Sequence, residues 1–222
     1  MADTISISPI LKWVGGKRQL LSNIIPLISK DFSTYVEPFV GGGAVFFALQ
    51  PKKAIINDYN VELINVYKVV RDFPEELISI LEEHSKKNTK EYFYHVRALD
   101  RTLEYAKMDP IQKAARIIYL NKTCYNGLYR VNLAGQFNSP YGRYKNPNII
   151  NAVTIRAMSK YLQNPNIIIK QGDYKEVLKG LHKGAFVYFD PPYMPISSSS
   201  SFSLICGQSE LDCKKGIPFS FN

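Results

Sequence analysis

Four consecutive residues, Asp190-Pro191-Pro192-Tyr193, put a carboxylate, two proline carbonyls and an aromatic face into one short loop. They follow the apolar run Ala185-Phe186-Val187-Tyr188-Phe189, which reads as a buried strand. Two successive prolines end that strand, because neither can donate to a ladder and each fixes its own φ. The result is a rigid, kinked loop at the carboxyl end of a strand, the place where open α/β sheets bind ligands. Such a loop can accept hydrogen bonds from an exocyclic amine while its aromatic ring stacks on the base that carries the amine.

A second chemical element lies upstream. Tyr35-Val36-Glu37-Pro38-Phe39-Val40 reads as a strand running into Gly41-Gly42-Gly43. Glycines after a strand let the backbone approach a ligand closely and free helix N-terminal amides to face it. Alone, such a triplet is a tight turn as readily as a nucleotide site. Asp58 ends the next short strand, Ala54-Ile55-Ile56-Asn57, where a carboxylate can bind both ribose hydroxyls. Equally, Asn57-Asp58-Tyr59-Asn60 makes a good turn in any protein. Gly172-Asp173-Tyr174 closes a third strand at 166–170.

The elements that must position these groups follow from the pattern. A Gly-Gly turn precedes a helix-like stretch at 17–28, and Ala44 to Leu49 opens a helix after the glycine triplet. This is a β-turn-α-β unit, the opening of a doubly wound sheet. From Asn60 to about Asn121 the periodicity is helical, as in Leu63, Ile64, Tyr67 and Val70, then Ile111, Ala114, Ala115 and Ile118. Residues 122–147, rich in Gly, Asn, Tyr and Pro with basic residues between, predict a hairpin with long loops. Residues 175–181 are helical and lead to the strand before Asp190.

Glu37-Pro38-Phe39-Val40-Gly41-Gly42-Gly43, Lys12-Trp13-Val14-Gly15-Gly16-Lys17 and Asp190-Pro191-Pro192-Tyr193 together resemble the S-adenosylmethionine-dependent DNA adenine-N6 methyltransferases. Within them the chain is similar to the Dam and DpnM group (class alpha), which methylates GATC sites. The resemblance runs from Leu11 to about Phe202. It implies an α/β, Rossmann-like methyltransferase sheet, incomplete on its C-terminal side, with an inserted helical and hairpin subdomain for DNA recognition. The implied segments are 1–59 and 148–202 for the methyltransferase domain, 60–147 for the target-recognition insertion, and 203–222 as an atypical tail.

What the resemblance implies for residues is specific. The cofactor, S-adenosyl-L-methionine, would contact Trp13, Lys17, Glu37, Pro38, Phe39, Gly41, Gly43, Asp58, Asp173 and Tyr174. Asp190 and the Pro191 carbonyl would accept the two amine hydrogens, with Pro192 holding the loop and Tyr193 stacked on a base flipped out of the duplex. An amine whose lone pair is delocalised into a ring is a poor nucleophile, and both acceptances favour a pyramidal nitrogen. Asp at the first loop position resembles adenine enzymes; Ser is common in cytosine-N4 enzymes. In the hairpin, Arg130 looks like the reader of an outer guanine, since Arg can bridge O6 and N7. Tyr125 and Asn126 would fill the space left by the flipped adenine, Leu128, Pro140 and Tyr144 would contact the remaining bases, and Lys122, Arg143 and Lys145 would neutralise phosphates. The partner implied is double-stranded DNA containing GATC. A cognate restriction endonuclease, without direct contact, would belong to the same system.

Composition agrees with a polyanionic partner: 28 Lys and Arg against 19 Asp and Glu give a net charge of +9. Three scattered cysteines and three histidines form no CxxC or HxxxH pair, so a metal site or disulfide framework is not expected. No run reaches the length of a membrane span, and a reducing cytoplasm is the expected compartment. Residues 203–222 show neither strand alternation nor a convincing helix and resemble a frameshifted or internally deleted end. Losing the remaining strands would exceed a stability margin of about 5–15 kcal/mol. The expectation is therefore a chain unstable and weakly active alone; the alternative function is an inactive remnant that still binds DNA or cofactor.

Overall fold

The computed structural model describes residues 7–29 and 31–192. Tyr193 and the tail at 203–222, both singled out from sequence, lie outside the described residues. Among those described, four strands alternate with nine α-helices. In chain order these are α1 (Leu21–Ile24), β1 (Thr34–Glu37), α2 (Ala44–Leu49), β2 (Ala54–Asp58), α3 (Val61–Asp72), α4 (Pro74–Lys86), α5 (Lys90–Ala98), α6 (Glu104–Lys107), α7 (Pro110–Thr123), α8 (Ala152–Leu162), β3 (Ile167–Gln171), α9 (Tyr174–Leu178) and β4 (Ala185–Val187).

The strands form one parallel sheet in the order β3-β2-β1-β4. The chain is therefore an α/β protein with a Rossmann-like parallel sheet. Tyr35 pairs with Ala54 on one side and Phe186 on the other, and Ile56 of β2 pairs with Ile169 of β3. Parallel neighbours need crossover connections, and α2 and α9 supply two of them. The third, from β2 to β3, is the helical stretch α3 to α8 with the hairpin inside it.

The expected strand at 35–40 stops at Glu37, because Pro38 has no N–H to continue the ladder. The stretch at 17–28 is not one helix. Two 3₁₀ turns, Arg18–Leu20 and Ile25–Leu27, flank the four residues of α1, and Pro26 removes a donor at the second turn. The predicted helix at 175–181 is the shorter α9, and β4, expected to be fully buried, is half-buried along its three residues. Segment 122–147 folds back on itself as predicted, but as two isolated antiparallel bridges, Cys124 to Tyr141 and Val131 to Phe137, instead of a regular ladder. Helix α8 lies outside the predicted elements, although Ile155, Met158 and Leu162 recur at helical spacing and are buried.

Local chemistry sets the helix starts. Asn60, Thr89, Asp109 and Asn151 each accept a backbone N–H in the first turn of the helix they precede, and Pro74 and Pro110 open α4 and α7. Helix α3 buries Leu63, Ile64, Val66, Tyr67, Val69 and Val70, which places it between the sheet and α7. Residues 114–121 of α7 are all buried, so this helix is the axis of the insertion. Buried side chains run without a break from Tyr35 and Ile56 in the sheet to Phe93, Ile118 and Phe137 in the insertion.

One charge sits inside that core. Arg116 of α7 is 2 % exposed and donates to the Val96 and Arg97 carbonyls at the end of α5, at 2.9 and 2.8 Å. It also pairs with Asp100 at 2.8 Å. A cation on the last carbonyls of a helix answers its dipole, and the carboxylate balances the buried charge. Replacing Arg116 by Met should cost about 2–3 kcal/mol, because it leaves the Val96 and Arg97 carbonyls without their donor and Asp100 with Arg101 as its remaining ionic partner. Urea unfolding of the two proteins measures that difference, and a loss below about 1 kcal/mol would contradict the role.

Candidate functional site

The strand order changes direction at β1: β2 and β3 extend to one side of it, and β4 lies on the other. In an open α/β sheet the crevice at such a switch point, beyond the carboxyl ends of the strands, is where ligands are held. Each strand delivers residues to it. The loop after β1 carries Pro38, Phe39 and the three glycines, β2 ends in Asn57 and Asp58, β3 leads to Asp173 and Tyr174, and β4 leads to Phe189, Asp190 and Pro191.

The glycine loop is fixed from three sides. Gly41 and Gly43 have φ of +49° and +73°. A Cβ on Gly43 would come within 2.5 Å of the Tyr67 hydroxyl, so this position accepts no side chain. That hydroxyl donates to the Gly41 carbonyl at 2.9 Å. Asp58 Oδ2 accepts the Gly41 N–H at 3.0 Å while its Oδ1 accepts the Asn60 N–H at 2.9 Å. The turn role of Asp58 is therefore realised, and its carboxylate at the same time ties β2 to the loop. Asn57, which the sequence marks as a strand or turn residue, is buried and donates to the Pro38 and Gly172 carbonyls, both at 3.0 Å.

Phe39, Tyr174 and Phe189 meet as an aromatic wall built from three strand ends. Ring centroids lie 5.1 Å apart for Phe39 with Tyr174, 5.1 Å for Phe39 with Phe189, and 5.6 Å for Tyr174 with Phe189. All three rings are half-buried, which leaves part of the wall open to a flat ligand. Phe189 was not singled out from sequence, although it immediately precedes Asp190. Asp173 caps α9, its Oδ1 accepting the Lys175 N–H at 2.8 Å.

Asp190 Oδ2 accepts the Lys17 ammonium at 2.5 Å, across 173 positions of sequence. Lys17 also donates to the Gly15 carbonyl at 2.9 Å, so the turn of the N-terminal motif aims the ammonium. Trp13 of the same motif lies against the glycine loop: a Cβ on Gly41 would meet its Cδ1 at 3.0 Å. Glu37 is buried beneath, accepting the Tyr35 hydroxyl at 2.6 Å. Burial pushes its carboxyl up to about 8, against the favourable Tyr35 hydrogen bond, and the nearby Asp190 and Asp58 carboxylates push the same way. Asp58 is also raised, by burial first, with the Asn60 and Gly41 amides opposing.

The residues expected to meet DNA share one arm. Tyr125 and Asn126 are exposed in the turn that leaves α7, with Asn126 at φ +58°. Leu128 and Arg130 are half-buried, and Arg130 Nε donates to Asn138 Oδ1 at 2.7 Å. Pro140, Arg143 and Tyr144 are exposed. Asp100 and Arg101 hold the arm from below through the Phe137 N–H at 2.7 Å and carbonyl at 2.8 Å. Lys122 is half-buried, and burial followed by the Arg18 guanidinium lowers its ammonium pKa. Cys124 is fully buried, its thiol pushed up to about 11 by burial, as befits a packing residue and not a nucleophile. No described helix is long and apolar enough to cross a membrane.

Known proteins share this arrangement of sequence. A family model described as D12 class N6 adenine-specific DNA methyltransferase matches residues 13–212, ten positions beyond the end of the likeness expected from sequence. A type II methyltransferase of Lactococcus lactis subsp. cremoris is 49% identical over 201 residues, 90% of this chain and 71% of the relative. A type II methyltransferase of Methanocaldococcus jannaschii is 44% identical, over 90% of this chain and 73% of its own length. The DNA adenine methylase of Escherichia coli is 35% identical, over 87% and 67% respectively. These relatives carry the names of enzymes, which favours an enzyme over an inactive remnant.

The state of Glu37 has a measurable sign. Its carboxyl rises from 4.5 to about 8 on folding, so the native state binds the extra proton and stability falls as pH climbs through that interval. Asp58 contributes in the same direction and is common to both proteins compared. Glu37→Gln removes one titration, so its thermal midpoint should decline less than that of the unaltered protein between pH 5 and pH 8. Equal slopes in a pH series of melting curves would show that Glu37 does not carry this proton.

Proposed function

This chain belongs to the D12 class N6 adenine-specific DNA methyltransferases, and we propose that it transfers the methyl group of S-adenosyl-L-methionine to adenine N6 within GATC. The observation that carries this reading is the Lys17–Asp190 pair, which joins the N-terminal motif to the proline loop at the switch point. When bound, the donor supplies an electrophilic methyl on a positively charged sulfur. The half-buried wall of Phe39, Tyr174 and Phe189 suits its adenine ring, and the carboxylates of Asp58 and Asp190 suit its positive charge.

In this reading Lys17 orients the Asp190 carboxylate through Oδ2, and Oδ1 with the Pro191 carbonyl accepts the two hydrogens of the adenine amine. That geometry frees the nitrogen lone pair and opposes the positive charge that develops on it. Pro192 keeps the loop rigid, and Tyr193 stacks on the flipped base. Trp13, Lys17 and the segment from Glu37 to Gly43 border the donor, with Asp58 toward its ribose and Asp173 toward its adenine.

The hairpin reads the site. Arg130 takes an outer guanine, Tyr125 and Asn126 fill the gap in the duplex, and Leu128, Pro140 and Tyr144 touch the other bases. Lys122, Arg143 and Lys145 meet phosphates; the mutual crowding of Lys122 and Arg18 is relieved by an anion between them. Segments 1–59 and 148–202 then form the catalytic part and 60–147 the target-recognition part, with 203–222 left as a tail. Two relatives named as type II methyltransferases favour a restriction–modification setting, with a cognate endonuclease that makes no direct contact, in the cytoplasm.

Transfer of labelled methyl from S-adenosyl-L-methionine to a GATC duplex, with a GTTC duplex as control, tests the proposal. GATC-specific label is expected, and Asp190→Ala should reduce the rate at least about 10²-fold while duplex binding persists. Arg130→Ala should cost about 1–3 kcal/mol of discrimination at the outer guanine. Equal labelling of both duplexes would remove GATC as the target, and absence of label from folded protein would remove the donor or the reaction.

A further inference from the structure

Asn121, near the end of α7, is 2 % exposed, and its carboxamide makes three hydrogen bonds. Oδ1 accepts the Lys12 N–H at 2.9 Å, and Nδ2 donates to the Lys12 carbonyl at 2.9 Å and to the Gly127 carbonyl at 2.8 Å. Lys12 belongs to the N-terminal motif at the donor side, whereas Gly127 lies in the turn that begins the DNA hairpin. A single buried side chain thus fastens backbone from both sides of the site.

A second contact runs beside it. The Trp13 ring stacks on Tyr129 of the hairpin with centroids 4.6 Å apart and planes 18° from parallel. Trp13 in turn lies on the glycine loop, within 3.0 Å of a Cβ placed on Gly41 and 3.4 Å of one on Gly42. A Cβ on Gly127, whose φ is +63°, would meet the Lys12 side chain at 3.1 Å. A continuous chain of contacts therefore runs from Gly127 and Tyr129 of the hairpin through Lys12 and Trp13 to the loop at Gly41.

We propose that Asn121, with Tyr129, is a positioning residue that makes binding of duplex DNA and binding of the methyl donor mutually dependent. The inference rests on the preceding reading that both ligands use this site. Each ligand stabilises the arrangement in which the three hydrogen bonds and the stack are made, and so favours the other. Coupling of this kind is reciprocal: the factor by which DNA tightens the donor equals the factor by which the donor tightens DNA.

Trp13 is the only tryptophan in the chain, so its emission reports on this junction without a label. The affinity of S-adenosylhomocysteine, an unreactive stand-in for the donor, is measured by titration calorimetry and by that emission, with and without saturating GATC duplex. The unaltered protein should bind it at least about fivefold more tightly with DNA present. In Asn121→Ala and Tyr129→Leu the factor should fall to about one, with each ligand still binding alone. If Asn121→Ala does not fold, Tyr129→Leu decides, because it keeps apolar bulk and loses the stack on Trp13, together with the hydroxyl and the edge contact on Phe137. Two ligands that bind the unaltered protein independently overturn the coupling and leave the proposed function intact, as does a wild-type factor in a folded Tyr129→Leu protein. Failure of the unaltered protein to bind either ligand overturns both.

Discussion

The site depends on the ends of parallel strands being held at fixed separation, which the strand ladder alone does not do. A parallel ladder stops where its hydrogen bonds stop, and Pro38 and Gly172 both lie just beyond that point. The Asn57 carboxamide spans the gap, taking the carbonyls of both loops on two N–H groups of one amide. Asp58 adds the Gly41 amide, and Tyr67 adds its carbonyl from α3. Buried donors and acceptors in a water-poor interior must be satisfied, so these side chains do for the loop backbone what a neighbouring strand would do in a sheet. The glycine loop and the turn at Gly172 that leads to Tyr174 keep their relation through this stitching, and the Lys17–Asp190 pair ties the proline loop to the N-terminal motif.

The same logic extends to the hairpin arm at 122–147. With only two isolated bridges, the hairpin has little ladder of its own, and its shape comes from below. Asp100 and Arg101 take the main chain of Phe137, and Arg116 neutralises Asp100 from inside α7. Arg130 is steadied by Asn138 across the arm. A loop held by charged side chains rooted in a helical core can present exposed side chains, such as Tyr125 and Arg143, at defined positions.

Much of this was legible in the residues. Short apolar runs mark all four strands, and helical spacing marks the long insertion. The proline loop and the glycine loop were found because their chemistry is local: it is spelled by adjacent residues. What stayed hidden is what depends on pairs distant in sequence. No spacing rule joins Lys17 to Asp190, Asn121 to Lys12 or Trp13 to Tyr129, since the fold alone brings them together. The single helix expected at 17–28 fails for the opposite reason: its apolar pattern is right, but Pro26 breaks the ladder inside it. Helix α8 carries a readable period that its polar neighbours Thr154, Arg156 and Ser159 obscure. Asp58 shows the turn contact that its neighbours spell, and its second oxygen holds the glycine loop, a contact that no local pattern announces.

The unbroken core between sheet and insertion bears on how such a chain changes its target over generations. Helix α3 is wall to the sheet on one side and to α7 on the other, so the helices of the insertion are not a cassette hung on a finished domain. Exchanging them wholesale between relatives would tear the interface that also seats Tyr67 against the glycine loop. If the arm reads DNA as proposed, change in sequence preference is channelled into its exposed positions, such as Tyr125, Asn126, Pro140 and Tyr144, which can be replaced without opening that core.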